Sequence, residues 1–154
     1  MAQRYNFFYF EATFKKYLVA GNAGASTIKN YLSDLHFFFA WLKNDRGIDE
    51  LELSDMPNMF SHATMRAYHL ALLDANTAPA TYDRRLSSLR HFFSFCVDQA
   101  WLNSNPAHEF DEYTKKDQLE EVINAYRNHL VSKHIQNNDL DCHINTIRNL
   151  IINL

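Results

Sequence analysis

The sequence predicts an all-α protein, a four-helix unit followed by two further helices. Only three glycines and three prolines occur in 154 residues, well below the usual share of about 7% and 5%. So few chain-breakers argue against a many-turned sandwich or barrel. Hydrophobic residues make up 47% and aromatics 14% of the chain, enough to fill a core and too many for a disordered segment. The apolar residues also recur at three- and four-residue steps, the period of a helix.

The first helix is expected over Phe7 to Val19, where Phe7, Phe10, Phe14, Tyr17 and Leu18 share a stripe. Gly21-Asn22-Ala23-Gly24 stops it. Ser26 then offers an N-cap side chain, followed by Ile28, Tyr31, Leu32, Leu35, Phe38, Phe39 and Leu42 along one face of about four turns. Asn44-Asp45-Arg46-Gly47 closes this second helix, and Ile48 to Pro57 reads as a connection. A third helix is expected over Asn58 to Asp74, with Met59, Met65, Tyr68, Leu70, Leu72 and Leu73 as its apolar set. After the break at Asn76-Thr77-Ala78-Pro79, a fourth carries Tyr82, Leu86, Leu89, Phe92, Phe93, Cys96 and Val97. Its opposite face holds Arg84, Ser88 and His91, with Arg85 and Arg90 on the flanks. It ends near Ala100-Trp101-Leu102.

Residues 1–108 thus form one domain, 109–117 a charged linker, and 118–154 a helical pair. The pair carries Leu119, Val122, Ile123, Tyr126 and Leu130, then Leu140, Ile144, Ile147, Leu150, Ile151 and Leu154. Shifted by 112 positions, the second stripe falls on that of the second helix, and a shift of 109 aligns Leu119, Glu120, Ile123 and Tyr126 with Phe10, Glu11, Phe14 and Tyr17. Two readings stand: any two amphipathic pairs align in this way, or 118–154 starts a second copy of the first unit. On the second, Leu150, Ile151 and Leu154 offer an apolar face for self-association.

The formal net charge is −3, with ten basic and eleven acidic residues in 1–110 and five and seven in 111–154. Any contact with a polyanion must therefore be local rather than global. Two cysteines, Cys96 and Cys142, cannot build a disulfide framework, and Cys96 reads as a small core residue. The aromatic N-terminus is interrupted by Glu11, Lys15 and Lys16 and is not a signal peptide. No apolar run approaches a membrane span, so a cytoplasmic, membrane-free location is expected. His129, His134, Cys142 and His143 match no zinc spacing. Met56, Met59 and Met65 read as core filler. With no glycine-rich phosphate loop and no nucleophile elbow, neither metal nor cofactor is expected.

Two of the predicted helices carry a further pattern. Ser26-Thr27-Ile28-Lys29-Asn30-Tyr31-Leu32-Ser33-Asp34-Leu35-His36-Phe37-Phe38-Phe39 resembles the second helix of the core-binding domain of tyrosine recombinases, the phage integrases and Xer-type enzymes. Thr81-Tyr82-Asp83-Arg84-Arg85-Leu86-Ser87-Ser88-Leu89-Arg90-His91-Phe92-Phe93 resembles its fourth helix, and Trp101-Leu102-Asn103-Ser104-Asn105-Pro106-Ala107 its closing turn. The resemblance covers roughly 8–108. It implies a SAM-like bundle lying on one side of duplex DNA, with a separate catalytic domain closing on the other.

On that resemblance, Thr27, Lys29, Asn30, Ser33, Arg84, Arg85, Ser88 and Arg90 are the expected DNA-binding residues. Short polar side chains and helix amino ends suit phosphates, and arginine forks reach phosphates or guanine edges. An ordinary solvated helix face is the alternative for each; it is favoured for Lys29 and Ser33, and DNA contact for the three arginines. The family's catalytic arginines, lysine, His-x-x-Arg motif and nucleophilic tyrosine match nothing here, so no catalytic residue is assigned and this chain alone is not expected to cut DNA. A DNA-binding fragment of a recombinase is the favoured reading. A helical protein-interaction module without DNA affinity is the alternative.

Overall fold

The aromatic stripe near the N-terminus folds as helix α1 (Phe7–Ala20) in a computed structural model that describes residues 2–108 together with Ile123, Asn124, Arg127, Asn128, Val131, Cys142, Ile144 and Asn145. Asn6 caps α1: its side-chain oxygen accepts from the Tyr9 amide at 3.0 Å. Just before it, strand β1 (Arg4–Asn6) pairs antiparallel with β2 (Glu50–Glu52), setting Tyr5 opposite Leu51. The connection predicted over Ile48 to Pro57 is therefore structured. It holds β2, a 3₁₀ turn (Leu53–Asp55) and the start of the short helix α3 (Met56–Met59).

Helix α2 runs from Ala25 to Arg46, longer than the four turns read from its stripe. Gly24, not Ser26, is its N-cap and supplies no side-chain bond, so the cap expected at Ser26 lies inside the first turn. Gly47 ends it in the left-handed conformation (φ 66°), its amide bonding the Lys43 carbonyl at 2.8 Å.

The single third helix expected over Asn58 to Asp74 is two helices, α3 and α4 (His62–Asp74). Ser61 breaks it by capping α4, accepting from the Thr64 amide, while the Thr64 hydroxyl turns back to the Met59 carbonyl at 2.7 Å. The apolar set of α4 also shifts: Met65, Tyr68 and Leu72 are buried with Thr64 and His69, whereas Leu70 and Leu73 face solvent. Met56, Met59 and Met65 do pack in or against the core.

Helix α5 (Pro79–Asp98) has proline in its first turn, where the missing N–H costs nothing. Leu86, Leu89, Phe92, Phe93, Phe95 and Cys96 are buried along it. Ser88 departs from the expected face: it is fully buried. Its register on α5 turns it toward α2, where a polar partner awaits it.

The core is a lattice of rings. Phe92 meets Phe14 edge-on at 5.5 Å, Phe39 at 5.6 Å and Phe60 at 6.2 Å, so one residue of α5 joins α1, α2 and the α3–α4 joint. Such offset and edge-to-face pairs add about 0.5–1.5 kcal/mol each beyond area burial. Past α5, Ala100 takes a left-handed conformation (φ 57°) and the chain returns under Trp101. Asn105 then ties this turn to α5: its side-chain amide donates to the Arg90 carbonyl (2.8 Å) and the Ser94 hydroxyl (2.9 Å), and its oxygen caps the Ala107 amide (3.0 Å).

The chain divides into two units, Met1–Phe110 and Asp111–Leu154. Of the aligned stripes of 118–154, Ile123 and Ile144 are described and both are buried; the other stripe residues, the self-association face and His129, His134 and His143 fall outside the described residues. Cys142 is exposed and Cys96 buried. Among the described residues, no helix is long and apolar enough to cross a membrane, and no cluster of three metal-ligating side chains forms.

Candidate nucleic-acid interface

Helices α2 and α5 pack antiparallel, and their shared edge is built from three contacts in matching steps. Tyr31 stacks on His91 with centroids 4.8 Å apart. One turn on, Asp34 of α2 meets Ser88 and Arg84 of α5. A further turn on, the Arg85 guanidinium lies 3.5 Å over the centroid of Phe37. Residues 31, 34 and 37 climb α2 as 91, 88 and 84–85 descend α5, as i,i+3 and i,i+4 spacing requires.

The middle contact is the most constrained. Asp34 is only 2% exposed although it carries a carboxylate. The Ser88 hydroxyl donates to Asp34 Oδ2 at 2.7 Å and sits 3.0 Å from the Arg84 carbonyl oxygen. Arg84 Nη2 donates to Asp34 Oδ1 at 2.9 Å while 42% of the Arg84 side chain remains exposed. A buried carboxylate needs such partners, since burying an unpaired charge costs several kcal/mol. Ser88 is thus an internal anchor of the acid rather than a surface contact.

The expected DNA-binding residues divide accordingly. Thr27, Lys29, Asn30 and Ser33 are all exposed on the amino-terminal half of α2. Thr27 and Asn30 fall in the same strip as Asp34, seven and four residues before it. Arg84 stands beside that strip, across the seam. Arg85 is half-buried over Phe37, and its Nε has no hydrogen-bond partner among the described residues. Arg90 is six positions beyond Arg84, a rotation of about 120° around α5, on the side where Asn105 binds its carbonyl. The three arginines share a helix without sharing a face.

Sequence reasoning passed over Asp34, Tyr31, His91 and Phe37 as parts of this edge. The available signal was register: a polar residue on the margin of each apolar stripe, Asp34 on one and Ser88 on the other, at matching heights.

Around the site, burial and the neighbouring Arg66 lower the pKa of His69, whose Nδ1 contacts the Tyr82 hydroxyl. Burial pushes the Tyr68 hydroxyl well above its ordinary range, with the Arg85 charge opposing. The arrangement along the seam is a polar helix edge that carries the guanidinium groups of Arg84 and Arg85.

A family model described as "Phage integrase, N-terminal SAM-like domain" matches residues 12–100. Among curated proteins, the chain is similar to the tyrosine recombinase XerC of Chlorobaculum parvum, 31% identical over 87 residues, covering 56% of this chain and 26% of that protein. The tyrosine recombinase XerC of Myxococcus xanthus is 36% identical over 81 residues (53% and 24%). That of Halalkalibacterium halodurans is 29% identical over 115 residues (68% and 35%). The chain therefore spans about a quarter to a third of the length of these relatives. No solved structure matches it. The match over 12–100 covers α2 to α5 and both motifs that form the seam, and on it the chain belongs to the phage-integrase N-terminal SAM-like domain family of the tyrosine site-specific recombinases.

Proposed function

We propose that residues 2–108 bind duplex DNA at a recombination site through the edge shared by α2 and α5, acting in the cytoplasm as the DNA-holding part of a tyrosine-type recombinase. The observation that carries the reading is family membership over the same residues that build this edge. The exposed row Thr27, Lys29, Asn30 and Ser33 supplies hydroxyl, amide and ammonium groups, with Arg84 across the seam. The major groove is about 12 Å wide and admits one helix of about 10–12 Å, so one of the pair enters while the other lies along the backbone. Holding DNA, not cleaving it, is the role of these residues; strand exchange belongs to chemistry they do not contain.

Binding of this kind is driven by counterion release. Each phosphate contact steepens the salt dependence by about 0.9 in log K against log salt. The test is fluorescence anisotropy of the full chain with a labelled 30-bp duplex of mixed sequence between 50 and 200 mM salt. The parent is expected to bind and to weaken steeply with salt. The combined replacement of Thr27, Lys29, Asn30 and Ser33 by Ala, all at exposed positions, is expected to remove most of the binding while the helical spectrum stays unchanged. A variant that binds as well as the parent overturns the surface, and a parent that binds no duplex favours the protein-interaction module.

A further inference from the structure

We propose that Arg84 reads a guanine, and that Asp34 and Ser88 are positioning residues which hold its guanidinium for that purpose. The proposal rests on the duplex-DNA reading above and assigns one side chain of that surface a separate task.

A cation that serves a phosphate contributes its charge, and Arg84 has little to contribute. Its Nη2 is 2.9 Å from a carboxylate that is almost fully buried and cannot turn away, so the pair presents close to zero net charge. What Arg84 retains is geometry. A guanidinium carries five N–H donors in a rigid plane. Asp34 engages the Nη2 side, and the exposed remainder of the side chain stays available to a ligand. The acid is fixed in turn by the Ser88 hydroxyl at 2.7 Å, so the plane is set before any ligand arrives. A donor fork already ordered loses less freedom on binding. The partner that uses two parallel donors and tolerates low net charge is a neutral bidentate acceptor, and in the major groove that is guanine O6 and N7. Lys29, exposed on a flexible stem, has the opposite properties and suits a phosphate. Thr27 and Asn30 lie on the same strip of α2 as Asp34, two turns and one turn before it.

The test uses the full chain and a pool of 30-bp duplexes with a randomised 12-bp centre, selected for binding and sequenced. The parent is expected to enrich a motif containing guanine, and Arg84→Lys, which keeps the charge and loses the planar fork, to lose preference at one guanine by roughly 5–100-fold. Replacing that guanine by 7-deazaguanine, which removes N7, is expected to weaken the parent and leave Arg84→Lys unaffected. Asp34→Asn, which unmasks the Arg84 charge, is expected to tighten binding to a fixed duplex of unselected sequence and to steepen its salt dependence by up to about one contact. A merely structural pair would produce neither effect. Equal loss across all sequences in Arg84→Lys, no guanine in the parent motif, or indifference of the parent to 7-deazaguanine each overturns the proposal while leaving DNA binding intact. Absence of any duplex binding by the parent overturns both.

Discussion

Removing Arg84 exposes how much the α2–α5 edge depends on one buried acid. Two unit charges about 4 Å apart attract by about 4 kcal/mol at an effective dielectric of 20, but most of this is offset by the desolvation of Asp34, which is 2% exposed. Breaking a fully buried pair costs about 3–5 kcal/mol. Arg84 is 42% exposed, so water can enter where it stood and the expected cost of Arg84→Ala is about 1–2 kcal/mol. Asp34→Asn, which keeps an acceptor for Ser88 but loses charge assistance, is expected to cost about 1 kcal/mol. With both changed, no buried charge is left stranded, so the double variant should fall short of the sum by about 1 kcal/mol. Urea unfolding of the four proteins at pH 7, followed by helical circular dichroism, measures this directly. Costs that add to within about 0.3 kcal/mol would mean that the two side chains do not hold each other, and the reasoning about the seam would fail.

Phe92→Ala should destabilise the domain by about 3–5 kcal/mol, since Phe92 touches rings from α1, α2 and the α3–α4 joint; chemical denaturation checks it, and a loss under about 1 kcal/mol would deny it that central place. Ala100→Gly should stabilise by about 0.5–1 kcal/mol: the left-handed φ of 57° costs alanine about 1–2 kcal/mol, partly offset by the greater freedom of glycine when unfolded. Thermal melting should rise by a few degrees. For His69 the folded pKa lies below its ordinary 6.5, so the unfolded chain takes up the proton first and stability falls as the pH drops through about 6.5 and below. His69→Gln should flatten that part of a stability–pH curve, whereas an unchanged slope would move the effect to another group.

Three helices were legible because their aromatic stripes are long. Phe7, Phe10 and Phe14, then Leu35, Phe38, Phe39 and Leu42, then Leu89, Phe92, Phe93 and Cys96 are buried where periodicity puts them. The α3–α4 break was hidden by composition. Met59 and Phe60 put two apolar residues at the joint itself, and only Ser61 ahead of Thr64 marks a new cap; Phe60 and Met65 occupy the staple positions around it, and both are buried. The β1–β2 pair spans three residues a side, too short for any periodicity to register. At the site, exposure of Thr27, Lys29, Asn30 and Ser33 was readable from α2 alone. The burial of Ser88 was not, because it depends on a carboxylate 54 residues away: a helical wheel shows which way a side chain faces, not what the neighbouring helix brings to meet it.

The central claim is that duplex DNA is held along the α2–α5 edge, and amide chemical-shift mapping of the full chain titrated with a 20-bp duplex tests it most directly. The account predicts that the shifts concentrate at Thr27, Lys29, Asn30 and Ser33 on α2 and at Arg84 and His91 on α5, and collapse when salt is raised. Shifts centred on the exposed apolar side chains Phe8, Leu70 and Leu73 instead, or none at any salt concentration, would contradict it.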